Sequence, residues 1–169
     1  LVRVNDDVDL IKISVGTVDN NAYLIHPGAG PAILVDAAAE PSRLKALIGN
    51  YEVGAVITTH RHQDHTGALA DIINMTGAQP WCGEPDAEAI EATTGVTCST
   101  VWDGDLFRLG DVKLDIIGLV GHTRGSIALR LQGNPSDHVL TGDSLFPGGV
   151  GKTSGSREFE SLYTDVCMK

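Results

Sequence analysis

A chain of 169 residues, 42% of them hydrophobic, suits one domain with a substantial core. Its 22 acidic residues against 12 basic ones leave a net charge of −10. That excludes a nucleic-acid partner, which needs a basic footprint, but not a small anion met by a local cation. No apolar run approaches the roughly 20 residues of a bilayer span, so no membrane partner is expected. Cys82, Cys98 and Cys167 are scattered, without a C-x-x-C pair, and read as reduced thiols of a cytoplasmic protein. The chain opens on Leu1 without a visible signal peptide, and a longer natural protein is expected.

Val8 to Val15 alternates apolar and polar side chains, the period-2 pattern of a strand. Asp19-Asn20-Asn21 is a turn signal, Ala22 to His26 a second strand, and Ala32 to Val35 a third, wholly apolar strand ending at Asp36. This opening predicts an antiparallel meander. Pro41-Ser42 starts a helix with Leu44, Leu47 and Ile48 on one face and Gly49-Asn50 as its stop. A buried strand, Val53 to Ile57, delivers a polar stretch, and a helix follows over His65 to Met75. Next come a strand (Gln79 to Cys82), a helix around Asp86 to Ala92 and a strand near Thr97 to Val101. Asp103-Gly104-Asp105 predicts a hairpin turn into strands at Leu106 to Leu109 and Val112 to Leu119. Strands follow at Ile127 to Leu131 and His138 to Thr141, then a flexible glycine-rich bend over Gly148 to Lys152 and a final helix, Phe159 to Met168. Three polar loops each leave the end of a strand, where a sheet scaffold usually places its chemistry.

The first of these loops, Thr58 to Gly67, holds three histidines and an aspartate within six residues. In an extended segment residues i and i+2 point the same way, so His60 and His62 can aim two imidazoles at one point. Asp64 and His65 fall where the chain turns into a helix and can face a second point nearby. A lone histidine here would read as part of a solvated turn; four ligand-type side chains at this spacing read as a metal site. Imidazole plus carboxylate suits zinc, iron or manganese. His122, in the second loop, can complete a three-nitrogen site with His60 and His62. Asp143, in the third loop, can bridge to a second metal begun by Asp64 and His65. Two metals about 3.5–4 Å apart can hold one hydroxide between them at neutral pH. Asp36, at a strand end, can orient a metal-bound histidine or serve as a turn carboxylate.

Thr59-His60-Arg61-His62-Gln63-Asp64-His65 resembles the H-x-H-x-D-H signature of the metallo-β-lactamase superfamily. Gly121-His122-Thr123-Arg124-Gly125-Ser126 resembles its G-H-T-x-G-S loop, and Gly142-Asp143-Ser144-Leu145-Phe146 its G-D-[ST]-L-F loop. The resemblance implies an α/β fold, a four-layer αββα sandwich with a dinuclear site at one edge of the two sheets. It implies one domain over residues 1–169 that lacks the family's last strand and its last metal-ligand segment. Within the superfamily the chain looks most like the glyoxalase II group, which hydrolyses S-2-hydroxyacyl thiol conjugates. The implied ligands are His60, His62, Asp64, His65, His122 and Asp143, with two divalent ions, zinc by default. Asp64 and Asp143 are then the catalytic carboxylates. Lys152 matches the last residue of a family run ending in G-C-G-[KR], with Val150 in place of the Cys, and by position would meet a carboxylate of the thiol carrier.

The expected partner is a small-molecule thioester; the oligomeric state is open. Two other readings compete. The persulfide dioxygenases of the same superfamily bind one iron through two histidines and an aspartate. A fold kept for binding without activity is the other. After Lys152 the family's aromatic-acidic run is replaced by Thr153-Ser154-Gly155-Ser156-Arg157, which leaves that substrate wall undefined. Arg61 and Arg124 lie inside the motifs and carry no assignment.

Overall fold

The computed structural model describes residues 1–169 and contains two main sheets with helices on both outer faces. Strands β1 (Val2–Arg3), β2 (Val8–Val15), β3 (Asn20–Pro27) and β4 (Ala32–Val35) form the meander. They pair antiparallel in sequence order, from Val2↔Leu10 through Leu10↔Ile25 to Ile25↔Ile33. Helix α1 (Pro41–Ile48) then crosses over, and β5 (Val53–Thr58) returns parallel to β4. Two further parallel strands, β6 (Gln79–Gly83) and β7 (Ser99–Val101), complete a seven-stranded sheet. Helices α2 (Gln63–Thr66) and α3 (Leu69–Thr76) precede β6, and α4 (Ala87–Thr94) precedes β7. The second sheet is antiparallel in the order β11-β10-β9-β8, with β8 (Leu106–Leu109), β9 (Val112–Gly118), β10 (Ile127–Leu131) and β11 (His138–Leu140). A small hairpin, β12 (Leu145–Phe146) with β13 (Gly149–Val150), and helix α5 (Ser156–Met168) follow.

The period-2 alternation of the central strands sorts their side chains into two cores. Ile25, Ile33, Val35 and Ile57 face the other sheet and pack with Leu114, Ile116, Ile127 and Leu129. Leu24, Leu34 and Val56 face outward and are covered by Leu44 of α1, Leu69 and Ile72 of α3 and Ile90 of α4. On the far side Leu162 of α5 packs on Leu119 and Ala128. The layers are therefore helix, sheet, sheet, helix: the αββα sandwich. Because β4 and β5 are covered on both faces, Ala32 to Val35 and Val53 to Ile57 read as unbroken apolar runs.

Three sequence expectations need correction. Asp103-Gly104-Asp105 does not close a hairpin: β7 lies at the edge of the first sheet and β8 in the second, so this turn carries the chain between sheets. Asp105 caps the backbone N–H of Trp102 at 2.8 Å and Asp103 that of Gly118 at 2.8 Å, which ties the crossover down. The helix expected over His65 to Met75 is two helices, broken at Gly67-Ala68, where the Ala68 N–H leaves the helical ladder for the carbonyl of Ala37 at 2.9 Å. The glycine-rich bend is ordered into the β12–β13 hairpin, Leu145 facing Val150 and Phe146 facing Gly149. No helix is long and apolar enough to cross a membrane.

Candidate metal centre

The loops after β5, β9 and β11 meet at one edge of the sandwich. One ring nitrogen each of His60, His62 and His122 lie within 4.8 Å of one another, and so do ligand atoms of His60, His65 and Asp143. The rings meet edge to face, with centroids 4.9 Å apart for His60–His62 and 4.6 Å for His62–His122, and tilted at 4.2 Å for His60–His65. Asp143 sits between the groups: its Oδ1 is 3.2 Å from Nε2 of His65 and its Oδ2 is 3.7 Å from Nε2 of His122. His60 belongs to both sets, but its free nitrogen can serve only one ion.

Three of the four histidines, His60, His65 and His122, are oriented by what their Nδ1 touches. The backbone carbonyl of Lys152 lies 2.7 Å from Nδ1 of His122 and, having no proton, can only accept. The carboxylate of Asp36 accepts from Nδ1 of His65 at 2.8 Å. Asp36 also takes the Thr59 hydroxyl proton at 2.8 Å, so the Thr59 oxygen, 3.0 Å from Nδ1 of His60, is left to accept from that ring. Each Nε2 is thus an unprotonated donor or, on a charged ring, the position a metal must claim. The Nε2 atoms of His60 and His122 are buried and have no hydrogen-bond partner, and that of His65 has only the Asp143 carboxylate at 3.2 Å. Orphaned buried imidazole nitrogens are costly unless a cation takes them. The residues present therefore fit metal.

Electrostatics agree. Burial, with His65 and His122 alongside, pushes the pKa of His60 down to about 2. Burial also opposes charge on His65, but Asp143 and Asp36 outweigh it and lift its pKa to about 10. Burial and the neighbouring His122 lower His62. Asp143 is held below the usual carboxylate range, first by His65.

Asp64 stands apart from both donor sets. It lines the same cavity as His65 and Asp143, and Asn20 donates to its Oδ2 at 2.9 Å and to its backbone carbonyl at 2.7 Å. Burial works against its charge, yet Asn20 brings its pKa below the ordinary value. The Lys152 side chain is exposed; what the structure brings to the centre is its carbonyl oxygen. The positions that sequence reasoning did not single out are the supporting ones. Thr59 relays Asp36 to His60, and Asn20, read only as a turn residue, fixes Asp64. Asp86, read as a helix start, accepts from the Arg61 N–H at 3.0 Å, the Thr123 hydroxyl at 2.6 Å and the Gly125 N–H at 3.0 Å, tying the first two motif loops together. Only a polar residue at an expected strand end, as Asp36 was, carries a signal of this kind in sequence. Gly142 allows the third loop to approach: at φ +50° it has no room for a side chain, since a Cβ would meet Oγ1 of Thr59 at 2.6 Å.

Residues 15–165 match the family described as the metallo-beta-lactamase superfamily. The chain belongs to the metallo-β-lactamase superfamily. Among its relatives in the superfamily is the "Hydroxyacylglutathione hydrolase" of Methylococcus capsulatus, 33% identical over 154 residues that cover 89% of this chain and 57% of that protein. That of Prochlorococcus marinus is 32% identical over 139 residues, 79% of this chain and 53% of its own. The chain spans about half the length of the curated relatives it matches. The superfamily fold is matched by the crystal structure of ETHE1 from Myxococcus xanthus, with a TM-score of 0.78 at 24% identity, covering 95% of this chain and 68% of that one.

Proposed function

We propose that this superfamily member is a metal-dependent thioester hydrolase of the glyoxalase II type, with a dinuclear centre. The observation that carries the reading is the placement of Asp143, one oxygen towards His65 and the other towards His122, between two groups of inward-facing imidazoles. The naming of its relatives as hydroxyacylglutathione hydrolases supports the thioester class.

His60, His62 and His122 would hold one ion; His65, Asp143 and Asp64 would contribute to the second. Bound there, divalent metal supplies Lewis acidity and makes a coordinated water acidic enough to react near neutral pH, chemistry for which zinc, iron and manganese all qualify. The residues of the chain do the rest. Asp36, Thr59 and the Lys152 carbonyl fix the imidazoles so that no reorganisation is needed on binding. Asp143 keeps the two halves of the centre in register. Asp64, ionised and steadied by Asn20, stands at the open side of the cavity, able to orient the attacking water and accept its proton. Water adds to the thioester carbonyl carbon, the C–S bond breaks, and the departing sulfur takes up a proton to give acid and thiol. Lys152, on the rim, would meet an anionic part of the thiol carrier.

The three free thiols Cys82, Cys98 and Cys167 support a reducing, cytoplasmic setting. A second reading has one specific observation behind it: His60, His65 and Asp143 alone are a two-histidine, one-carboxylate set, which also suits a single iron of the persulfide dioxygenase kind. A panel of 2-hydroxyacyl thioesters, assayed by thiol release with and without a chelator, separates the two. Chelator-sensitive thiol release without oxygen uptake is expected. Oxygen uptake with a persulfide substrate and no thioester turnover would replace the hydrolase reading with the dioxygenase one.

A further inference from the structure

A second cavity, of about 580 Å³, opens beside His122; Asp143 does not line it, and its lining is nearly all polar. Arg61, Arg124 and Arg157 contribute to it from three separate segments: the loop after β5, the loop after β9 and the first turn of α5. Three exposed arginines lining one cavity are out of keeping with a chain whose net charge is −10. Glu158 is the only carboxylate in the lining, so the cavity is locally cationic. Elsewhere three arginines of this chain are neutralised, Arg3 by Asp9 at 2.7 Å, Arg43 by Glu40 at 3.2 Å and Arg130 by Asp137 at 2.6 Å, while the exposed Arg108 stands alone on the second sheet. Arg124 and Arg157 meet no carboxylate within 4.0 Å. Arg61 has only Asp86 at 3.9 Å, and that carboxylate is already taken up by Thr123 and two backbone N–H groups.

The fold holds this arrangement together. Gly121 lies at φ +151° directly under α5, where a Cβ would overlap the backbone carbonyl of Glu158. Asp165 of α5 accepts from the Val120 N–H at 2.9 Å. Helix α5 is thereby pinned to the turn that carries His122 and Arg124, which places Arg157 and the Ser161 hydroxyl opposite them. Asp86 anchors the backbone of Arg61 from the other side.

We propose that this cavity binds a phosphate ester group of the substrate, with Arg61, Arg124 and Arg157 as the specificity-determining residues. A phosphate dianion is the compact group that can present separate oxygens to three guanidinium forks, and arginine matches phosphate geometry in a way lysine does not. The position beside a metal-binding histidine means that the group belongs to a molecule whose reactive carbonyl reaches the centre. That part of the inference rests on the thioesterase reading: the substrate is an acyl thioester of a phosphate-bearing thiol carrier.

The test is calorimetric binding of inorganic phosphate to the metal-loaded protein and to Arg124→Gln, Arg157→Gln and the double variant. Metal content and melting temperature are checked in each, and Arg108→Gln, an exposed arginine of the second sheet, serves as control. Phosphate is expected to bind the wild type and the control alike, several-fold more weakly to each single variant and at least tenfold more weakly to the double. Equal binding to the double variant with full metal would place phosphate on the metals and overturn the proposal. Absence of binding to the wild type would also overturn it, as would tight binding of a tricarboxylate where phosphate fails. With thioesters, the double variant should raise KM at least tenfold for a phosphorylated carrier, leave kcat within twofold, and leave a neutral thioester unchanged. If no thioester is turned over while phosphate binding still follows the arginines, the thioesterase reading fails and the anion site stands.

Discussion

The carboxylate of Asp36 accepts a hydrogen bond from Nδ1 of His65 at 2.8 Å in the interior, and in the metal-free protein the charged His65 ring is its counter-ion. The same carboxylate takes the Thr59 N–H at 2.7 Å and, through the Thr59 hydroxyl, sets the orientation of His60. One buried acid thus positions two imidazoles belonging to the candidate metal centre. Its backbone lies at φ +57°, a conformation that Asp and Asn tolerate better than other side chains. Asp36→Asn therefore keeps the backbone but offers one acceptor where three donors converge. The variant should fold with a loss of about 1–3 kcal/mol and lose about 10–100-fold in metal affinity. Urea denaturation of the metal-free form and competition with a chromophoric chelator give the two numbers.

The pKa shifts of the centre predict a stability optimum for the metal-free protein. His65 is raised from 6.5 to about 10, so the stability it contributes is complete below about pH 6.5 and is lost as pH rises through 10. His60 is lowered from 6.5 to about 2: its contribution is complete above about pH 6.5 and is lost as pH falls towards 2. Asp143, with its pKa depressed, adds to the loss in acid. The melting temperature of chelator-treated protein should peak near neutrality and fall on both sides. Metal binding at pH 8 should also release a proton from His65, visible as a dependence of the calorimetric enthalpy on the ionisation heat of the buffer.

The metal centre is legible in the sequence because four of its six expected ligands are local and His122 and Asp143 each lie in a polar loop after a strand. His60, His62, Asp64 and His65 occupy one loop, and period 2 in an extended segment already aims the first two together. What supports the centre is not local. Thr59 acts only because β4 brings Asp36 beside it, and Asn20 and Asp86 reach the site across 44 and 25 positions of sequence. The arginine cavity is hidden for the same reason: its residues come from three segments that become neighbours only when α5 docks on Gly121. The turn at Asp103-Gly104-Asp105 was ambiguous on physical grounds, since the same Asp and Gly chemistry closes a hairpin or carries a chain between two sheets. The break at Gly67-Ala68 follows from a tertiary hydrogen bond to Ala37 that no helical periodicity could announce.

Gly142 tests how closely the third loop must approach. Gly142→Ala places a side chain at φ +50° against Thr59, so the strain falls on both Asp143 and the Asp36 relay. A loss of about 1–3 kcal/mol is expected, together with reduced metal content after dialysis. Unchanged stability and metal would show that the loop can back away from β5 at no cost.

Lys152 separates a backbone role from a side-chain role. Its carbonyl oxygen orients His122, and any side chain keeps that carbonyl. Lys152→Ala should therefore retain full metal content while raising KM for thioesters with an anionic carrier several-fold, with kcat little changed. Loss of metal in this variant would mean that the exposed side chain, not the carbonyl, organises His122.

The account turns on two ions held by the residues gathered around Asp143. Elemental analysis of protein purified without chelators, compared with Asp64→Asn, tests this most directly. The account predicts about two divalent ions per wild-type chain and about one in Asp64→Asn, with the three-histidine group still loaded. A wild-type chain that carries no metal, or one ion that Asp64→Asn leaves untouched, would contradict it.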